Sequence, residues 1–159
     1  MTTIRCLLEE AAAISKNQPA ITQGERVYLY SELDALVAAV AQRLRRAGIK
    51  PGEHIGLFMA NDWRMIALIL GILRAGAVAC PLSTRLPRDA VLAQLNELAA
   101  HRLIAFLDKA KGGLKGIETL SPDALLKQPE AASPGGFNMY LNDPAVILFT
   151  SGSSGRPRP

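Results

Sequence analysis

The chain has 159 residues, of which 49% are hydrophobic and 20% charged, with a net charge of +4. That is the composition of one soluble globular domain, large enough to bury a core without disulfides or a structural metal. The longest apolar run, residues 65–73 between Arg64 and Arg74, is far too short for a membrane-spanning helix, which needs roughly 20 residues.

Cys6 and Cys80 have apolar neighbours and do not form a closely spaced pair, so both are expected to be reduced core residues. His54 and His101 stand apart with no Cys, Asp or Glu at ligand spacing, and no metal site is expected. Glu9 and Glu10 fall where an export signal would need its apolar stretch, so a cytoplasmic location is expected. The basic residues are scattered. Their one cluster, Arg43, Arg45 and Arg46, falls at the end of a predicted helix, where cations suit the dipole, and reads as a solvated helix end. With few aromatic residues as well, no nucleic-acid partner is expected.

In chain order, Ile4, Leu7, Leu8 and Ala11 recur at helical spacing and predict a first amphipathic helix, ended by Asn17 and Pro19. Residues 20–22 and 26–30 read as a hairpin turning at Gly24. Residues 31–47 are the clearest helix. Ser31 and Asp34 resemble a capping box, Leu33, Leu36, Val37, Val40 and Leu44 form one apolar face, and Gly48 stands where a left-handed cap is wanted. Pro51-Gly52 signals a turn, and residues 54–59 a strand buried on both faces.

Asn61 or Asp62 is placed to cap the next helix, which is apolar nearly all round, so a central position is expected, and Gly76 stops it. A short strand over 77–81, a helix opened by Pro87 and a strand over 103–107 follow. Residues 109–142 lose periodicity and read as irregular. Residues 144–149 read as a final buried strand. Strands alternating with helices predict an α/β fold, a mostly parallel sheet flanked by helices, with ligands outside the carboxyl ends of its strands.

The last strand feeds Thr150-Ser151-Gly152-Ser153-Ser154-Gly155-Arg156-Pro157-Arg158. Glycines let backbone N–H groups approach an anion, hydroxyls add donors that can turn toward phosphate oxygens, and Arg158 adds a fixed charge. The spacing fits neither the Gly-x4-Gly-Lys-Ser/Thr loop nor a dinucleotide fingerprint. On composition alone the segment reads equally well as a Ser/Gly tail, and its position behind a strand favours a phosphate cradle.

Phe149 to Arg158 resembles the phosphate-loop signature of the adenylate-forming superfamily of acyl- and aryl-CoA ligases, luciferases and peptide-synthetase adenylation domains. Arg158 stands where that signature has lysine. Leu29-Tyr30-Ser31-Glu32-Leu33 and Leu73-Arg74-Ala75-Gly76-Ala77-Val78-Ala79-Cys80-Pro81-Leu82 also resemble family segments, of structural rather than catalytic kind. Residues 80–87 are most similar to the o-succinylbenzoate–CoA ligases of menaquinone synthesis. An exposed helix-approach loop remains the favoured reading of Ser83, Thr84 and Arg85, and capping and packing that of Asn61, Asp62 and Trp63.

The resemblance implies the N-terminal subdomain of an ATP-dependent acid–thiol ligase: an incomplete AMP-binding domain over 1–149 and a mobile phosphate loop over 150–159. It implies ATP, Mg2+ and coenzyme A as cofactors of the parent enzyme and a small carboxylic acid as substrate. Thr150, Ser151, Gly152, Ser153, Ser154, Gly155 and Arg158 would hold the β- and γ-phosphates. The acyl pocket, nucleoside contacts, magnesium acid and adenylation lysine of the family lie beyond this loop. The chain by itself is therefore expected to be inactive, with no catalytic residue among its 159, and to form a homodimer through an apolar sheet edge that truncation would expose.

Overall fold

The computed structural model describes residues 3–4, 7–106, 113–127, 139–140 and 143–149. The elements are β1 (Thr3–Ile4), α1 (Leu7–Ile14), β2 (Pro19–Gln23), β3 (Arg26–Leu29), α2 (Tyr30–Arg46), β4 (His54–Phe58), α3 (Trp63–Ala75), β5 (Val78–Pro81), α4 (Arg88–Glu97), β6 (Arg102–Ala105), β7 (Glu118–Leu120), α5 (Pro122–Leu125) and β8 (Met139–Tyr140). The main sheet has the order β5-β4-β6-β7 and every pairing in it is parallel. β2 and β3 form an antiparallel hairpin, and β1 pairs antiparallel with β8. The α/β fold with a parallel sheet between helices is thus as the alternating pattern predicts.

A parallel sheet must be covered on both faces, and two apolar clusters do this. Ile55, Leu57, Ala79 and Ile104 pack under Leu44, Met65, Leu68 and Ile72 of α2 and α3. Val78, Cys80, Leu103 and Ala105 pack against Val91 and Leu95 of α4 on the other face. Gly56 points at α4, where a Cβ would stand 2.5 Å from Leu95 Cδ2 and 2.9 Å from Leu103 Cδ1. Cys80 is fully buried in this layer, and burial pushes its thiol up to about 11, so it stays a neutral core residue. Cys6 lies outside the described residues.

The apolar face expected on α2 is buried at all five positions, Leu33, Leu36, Val37, Val40 and Leu44. α3 is less central than its composition suggests: Leu68 and Ile72 are fully buried, while Ile66 is 45% exposed. The two helices cross at Gly71, where a Cβ would lie 2.7 Å from Val40 Cβ. Arg74 of α3 is buried beside this crossing. It pairs with Asp34 of α2 at 2.5 Å and with Glu9 of α1 at 3.5 Å, which ties three helices at one cation.

Several expectations are corrected. Ile4 belongs to a strand, not to the first helix, which begins at Leu7. The capping box of α2 lies two residues earlier than read. The Leu29 N–H donates to Glu32 Oε2 at 2.9 Å, and Asp34 instead serves Arg74. The arginine cluster is not merely solvated. Arg43 donates to the carbonyls of Leu125 and Lys127 at 2.7 and 2.8 Å, and Arg45 donates to the carbonyl of Arg74. Within residues 109–142, the stretch read as irregular, β7 extends the sheet and α5 packs back on α2 and α3.

Residues 144–149 do not form the buried strand expected. They run parallel to β5 through one bridge, Ala79 to Val146. The Ala79 N–H donates to the Ala145 carbonyl at 3.0 Å, and the Ile147 N–H donates to the Ala79 carbonyl at 2.9 Å. The next partner on β5 is Pro81, which has no N–H to continue the ladder. Ile147 and Phe149 pack on the α4-side cluster, while Val146 and Leu148 are 41% and 59% exposed.

A Gly71→Ala substitution gains up to ~1 kcal/mol of helix propensity. It loses more through overpacking against Val40, for a net destabilisation of about 1–2 kcal/mol. Urea unfolding should show this. In a Val40→Ala background the cost of Gly71→Ala should shrink by at least about 0.5 kcal/mol, because the added methyl then has room.

Candidate functional site

The carboxyl ends of the parallel strands define one rim of the molecule, and four segments reach it. β5 leads through Leu82, whose N–H donates to the Leu57 carbonyl at 2.8 Å, into the exposed turn Ser83-Thr84-Arg85. Within that turn the Leu86 N–H donates to the Ser83 carbonyl at 3.1 Å, and the turn hands over to Pro87 and α4. The expectation of an exposed helix-approach loop holds for it.

β4 leads into Asn61, Asp62 and Trp63. Asp62 is the N-cap of α3: its Oδ1 accepts the Arg64 N–H at 2.9 Å, and its Oδ2 accepts from Arg64 Nη2 at 2.6 Å. Burial alone would raise the Asp62 pKa, but the Arg64 hydrogen bonds and charge outweigh it and hold the carboxyl below the usual range. Arg64 also lies over the Phe106 ring, 5.1 Å from its centroid, at the end of β6. Trp63 packs against the hairpin, as expected. It stacks on Tyr28 with centroids 4.5 Å apart, its backbone N–H donates to Gln23 Oε1 at 2.9 Å, and Arg26 lies 5.6 Å from both ring centroids. No spacing rule could find this cluster, because the hairpin and α3 are brought together only by folding.

The segment 143–149 reaches the same rim. With Val146 level with Ala79 and the strands parallel, Phe149 comes level with Leu82, at the carboxyl end of the sheet. Phe149 is the last described residue. The predicted phosphate-holding residues Thr150, Ser151, Gly152, Ser153, Ser154, Gly155 and Arg158, and the loop 150–159 as a whole, lie outside the described residues.

The opposite end of the sheet carries a hollow of about 660 Å3 among Gly48, Lys50, Gly52, His101, Arg102 and Gly116. Arg102 lines it, bonded to Glu53 at 2.5 Å and to Glu118 at 2.7 Å, and so joins the amino ends of β4, β6 and β7. Since ligands of parallel sheets sit at carboxyl ends, this hollow is on the wrong side for the loop's chemistry and reads as a staple. His54 is likewise structural, with Nδ1 2.7 Å from the Leu98 carbonyl. Among the described residues, no group of three or more His, Cys, Asp or Glu could hold a metal ion, and no helix is long and apolar enough to cross a membrane.

A parallel sheet between helices that delivers its last segment to the carboxyl rim defines an α/β protein with its candidate site at that rim, and comparison with known proteins narrows it. The profile of the AMP-binding enzyme family matches residues 8–159, and the chain belongs to that family. Surfactin synthase subunit 3 of Bacillus subtilis (strain 168) is 30% identical over 153 residues, covering 94% of this chain and 12% of the synthase. Enterobactin synthase component F of Escherichia coli (strain K12) is 30% identical over 162 residues, covering 99% of this chain and 12% of that protein. The chain therefore spans about an eighth of the length of these curated relatives.

Among solved structures, the N-terminal subdomain of Klebsiella oxytoca NpsA in complex with 3-hydroxybenzoyl-AMSN matches with a TM-score of 0.86 at 24% identity, covering 99% of this chain and 40% of that one. The o-succinylbenzoate coenzyme A synthetase MenE of Bacillus subtilis, in complex with AMP, matches with a TM-score of 0.85 at 23% identity, covering 98% and 41%. These likenesses show the fold: that of the NpsA N-terminal subdomain and of the matched part of MenE.

The depressed Asp62 pKa makes a signed prediction. Its contribution to stability is present above the ordinary carboxylate pKa of about 4 and is lost as pH falls through the lower folded value. Asp62→Asn keeps a capping side chain but removes the charge. Stability should drop by about 1 kcal/mol at neutral pH, and the difference from the parent should vanish in acid. Thermal melts at several pH values measure it.

Proposed function

We propose that this chain supplies the polyphosphate-holding part of an enzyme that activates a carboxylic acid as its adenylate. The observation that carries the reading is the parallel bridge of Val146 to Ala79, which brings Phe149, the residue before the hydroxyl- and glycine-rich segment, level with the carboxyl end of the sheet. Family membership over residues 8–159 supports the same reading.

In the first half-reaction a carboxylate oxygen attacks the α-phosphorus of ATP, a C(O)O–P bond forms, and pyrophosphate leaves with the electron pair of the broken P–O bond. The charge that grows on the leaving group needs donors already in place. The hydroxyls of Thr150, Ser151, Ser153 and Ser154 would donate to phosphate oxygens, Gly152 and Gly155 would admit the backbone close to them, and Arg158 would offset their charge. Mg2+ would neutralise part of the polyphosphate charge. In the second half-reaction the thiol of coenzyme A displaces AMP to give the thioester.

For the acid, the reading is an aromatic carboxylate, with o-succinylbenzoate and menaquinone synthesis first. It is supported by the sequence of residues 80–87 and by the fold likeness to MenE. A second reading, an adenylation domain of a peptide synthetase, is favoured by the 30% identity to surfactin and enterobactin synthases. In that case the thiol would belong to a carrier rather than to coenzyme A.

The test joins this chain to the remaining part of Bacillus subtilis MenE and measures ATP–pyrophosphate exchange with o-succinylbenzoate. Removing the Ser151 and Ser153 hydroxyls together should lower exchange by about 10²–10³-fold. Arg158→Lys should keep exchange within about tenfold of the parent chimera, and Arg158→Ala should not. Undiminished exchange after removal of those hydroxyls and Arg158 would overturn the proposal. An acid screen on a polypeptide carrying this sequence within a whole AMP-binding domain separates the two substrate readings.

A further inference from the structure

α4 covers its face of the sheet with Val91 and Leu95, and one polar side chain of the helix is buried beside them. Gln94 is 7% exposed, and among the described residues its Oε1 has no hydrogen-bond partner. A buried amide without a partner is costly, and native folds seldom leave one. Helix geometry gives its direction. Arg88, at the start of α4, donates to the Gly113 carbonyl in the loop that leads to β7. Gln94 follows Arg88 by about one and two-thirds turns, which sets it on the opposite flank of the helix. That flank is turned toward β5 and the segment 143–149, whose Ile147 and Phe149 pack on the same layer.

The segment has two backbone groups to satisfy on its β5 side. The Ala145 carbonyl and the Ile147 N–H are bonded to Ala79. In extended chain the N–H and C=O of one residue point the same way, and alternate residues repeat the direction. The Ile147 carbonyl and the Phe149 N–H therefore also face β5. Pro81 stands opposite them and has no N–H to give the carbonyl. Among the described residues neither group is hydrogen-bonded.

We infer that Gln94 is the positioning residue of the segment 143–149, and that its amide holds the Ile147 carbonyl and the Phe149 N–H through one buried water. The chemistry is complementary. A primary amide carries one acceptor oxygen and an NH2 donor, the two groups on the segment are an acceptor and a donor, and a buried water needs two to four such partners. The height along the sheet agrees as well. Leu95, next to Gln94, lies over Gly56, Gly56 is level with Cys80, and the bridge of Val146 to Ala79 sets Ile147 level with Cys80 too. Phe149 directly precedes the hydroxyl- and glycine-rich segment. On the function proposed above, this latch would set where that segment leaves the rim. The latch itself does not depend on that reading.

The test uses the whole chain and no activity, so its failure is separate from failure of the proposed function. Gln94→Met keeps the side-chain length and removes the polar atoms. It should lower the urea midpoint, whereas an amide with nothing to hold would be better replaced by Met and the midpoint would rise. Amide hydrogen exchange at Phe149 should quicken by at least about threefold relative to Ile147, which Ala79 still holds. Pro81→Ala supplies the missing N–H. In that background the midpoint loss from Gln94→Met should fall to about half or less. A raised midpoint, unchanged relative exchange at Phe149, or an undiminished effect of Gln94→Met beside Pro81→Ala would overturn the inference.

Discussion

A parallel strand has no side that can face water, and the burial of β4 on both faces is the constraint on which the rest of this structure depends. Ile55 and Leu57 enter one apolar cluster, and Gly56 admits Leu95 and Leu103 from the other side. Two helices must then lie on one face and one on the other. The crossing of α2 and α3 at Gly71 brings the first pair close enough to cover the sheet. Arg74, held by Asp34 and Glu9, ties α1 to that layer. A buried cation of this kind adds little net stability over an apolar substitute. Its geometric consequence is larger, since it links α1, α2 and α3 in one arrangement.

The same sheet sets the chemistry. Because β4, β5 and β6 all point the same way, every connection after them emerges on one rim. The turn after β5, the capped start of α3 and the end of the segment 143–149 gather there although they are far apart in sequence. Phe149 is carried to that rim by one residue of β5, Ala79, which spends both its N–H and its C=O on the segment. Pro81, which has no N–H, stops the ladder beyond it.

Much of the fold was legible in order along the chain. The hairpin turning at Gly24, the apolar face of α2, the Asp62 cap and the left-handed Gly48 and Gly76 follow from local rules, and the structure has each of them. Local rules failed where a distant partner competed. Asp34 resembled a cap residue but was taken by Arg74, forty positions away. Arg43 and Arg45 looked like solvent-facing cations and were drawn to carbonyls of α5 and α3. β7 was illegible because a three-residue strand at a sheet edge carries almost no periodicity of its own.

The sequence by itself determined the α/β class, the succession of buried strands and helices, and the resemblance of residues 149–158 to a phosphate loop. These are properties of neighbouring residues, set by backbone conformation and by the period of apolar side chains. Only the tertiary structure decided that residues 144–149 lie on β5 through a single bridge, with one face covered and the other open. It also decided that Arg26, Tyr28 and Trp63 share a cluster and that Arg102 joins three strands. Those outcomes depend on which groups meet across the fold, and no local pattern encodes the identity of a partner many residues away.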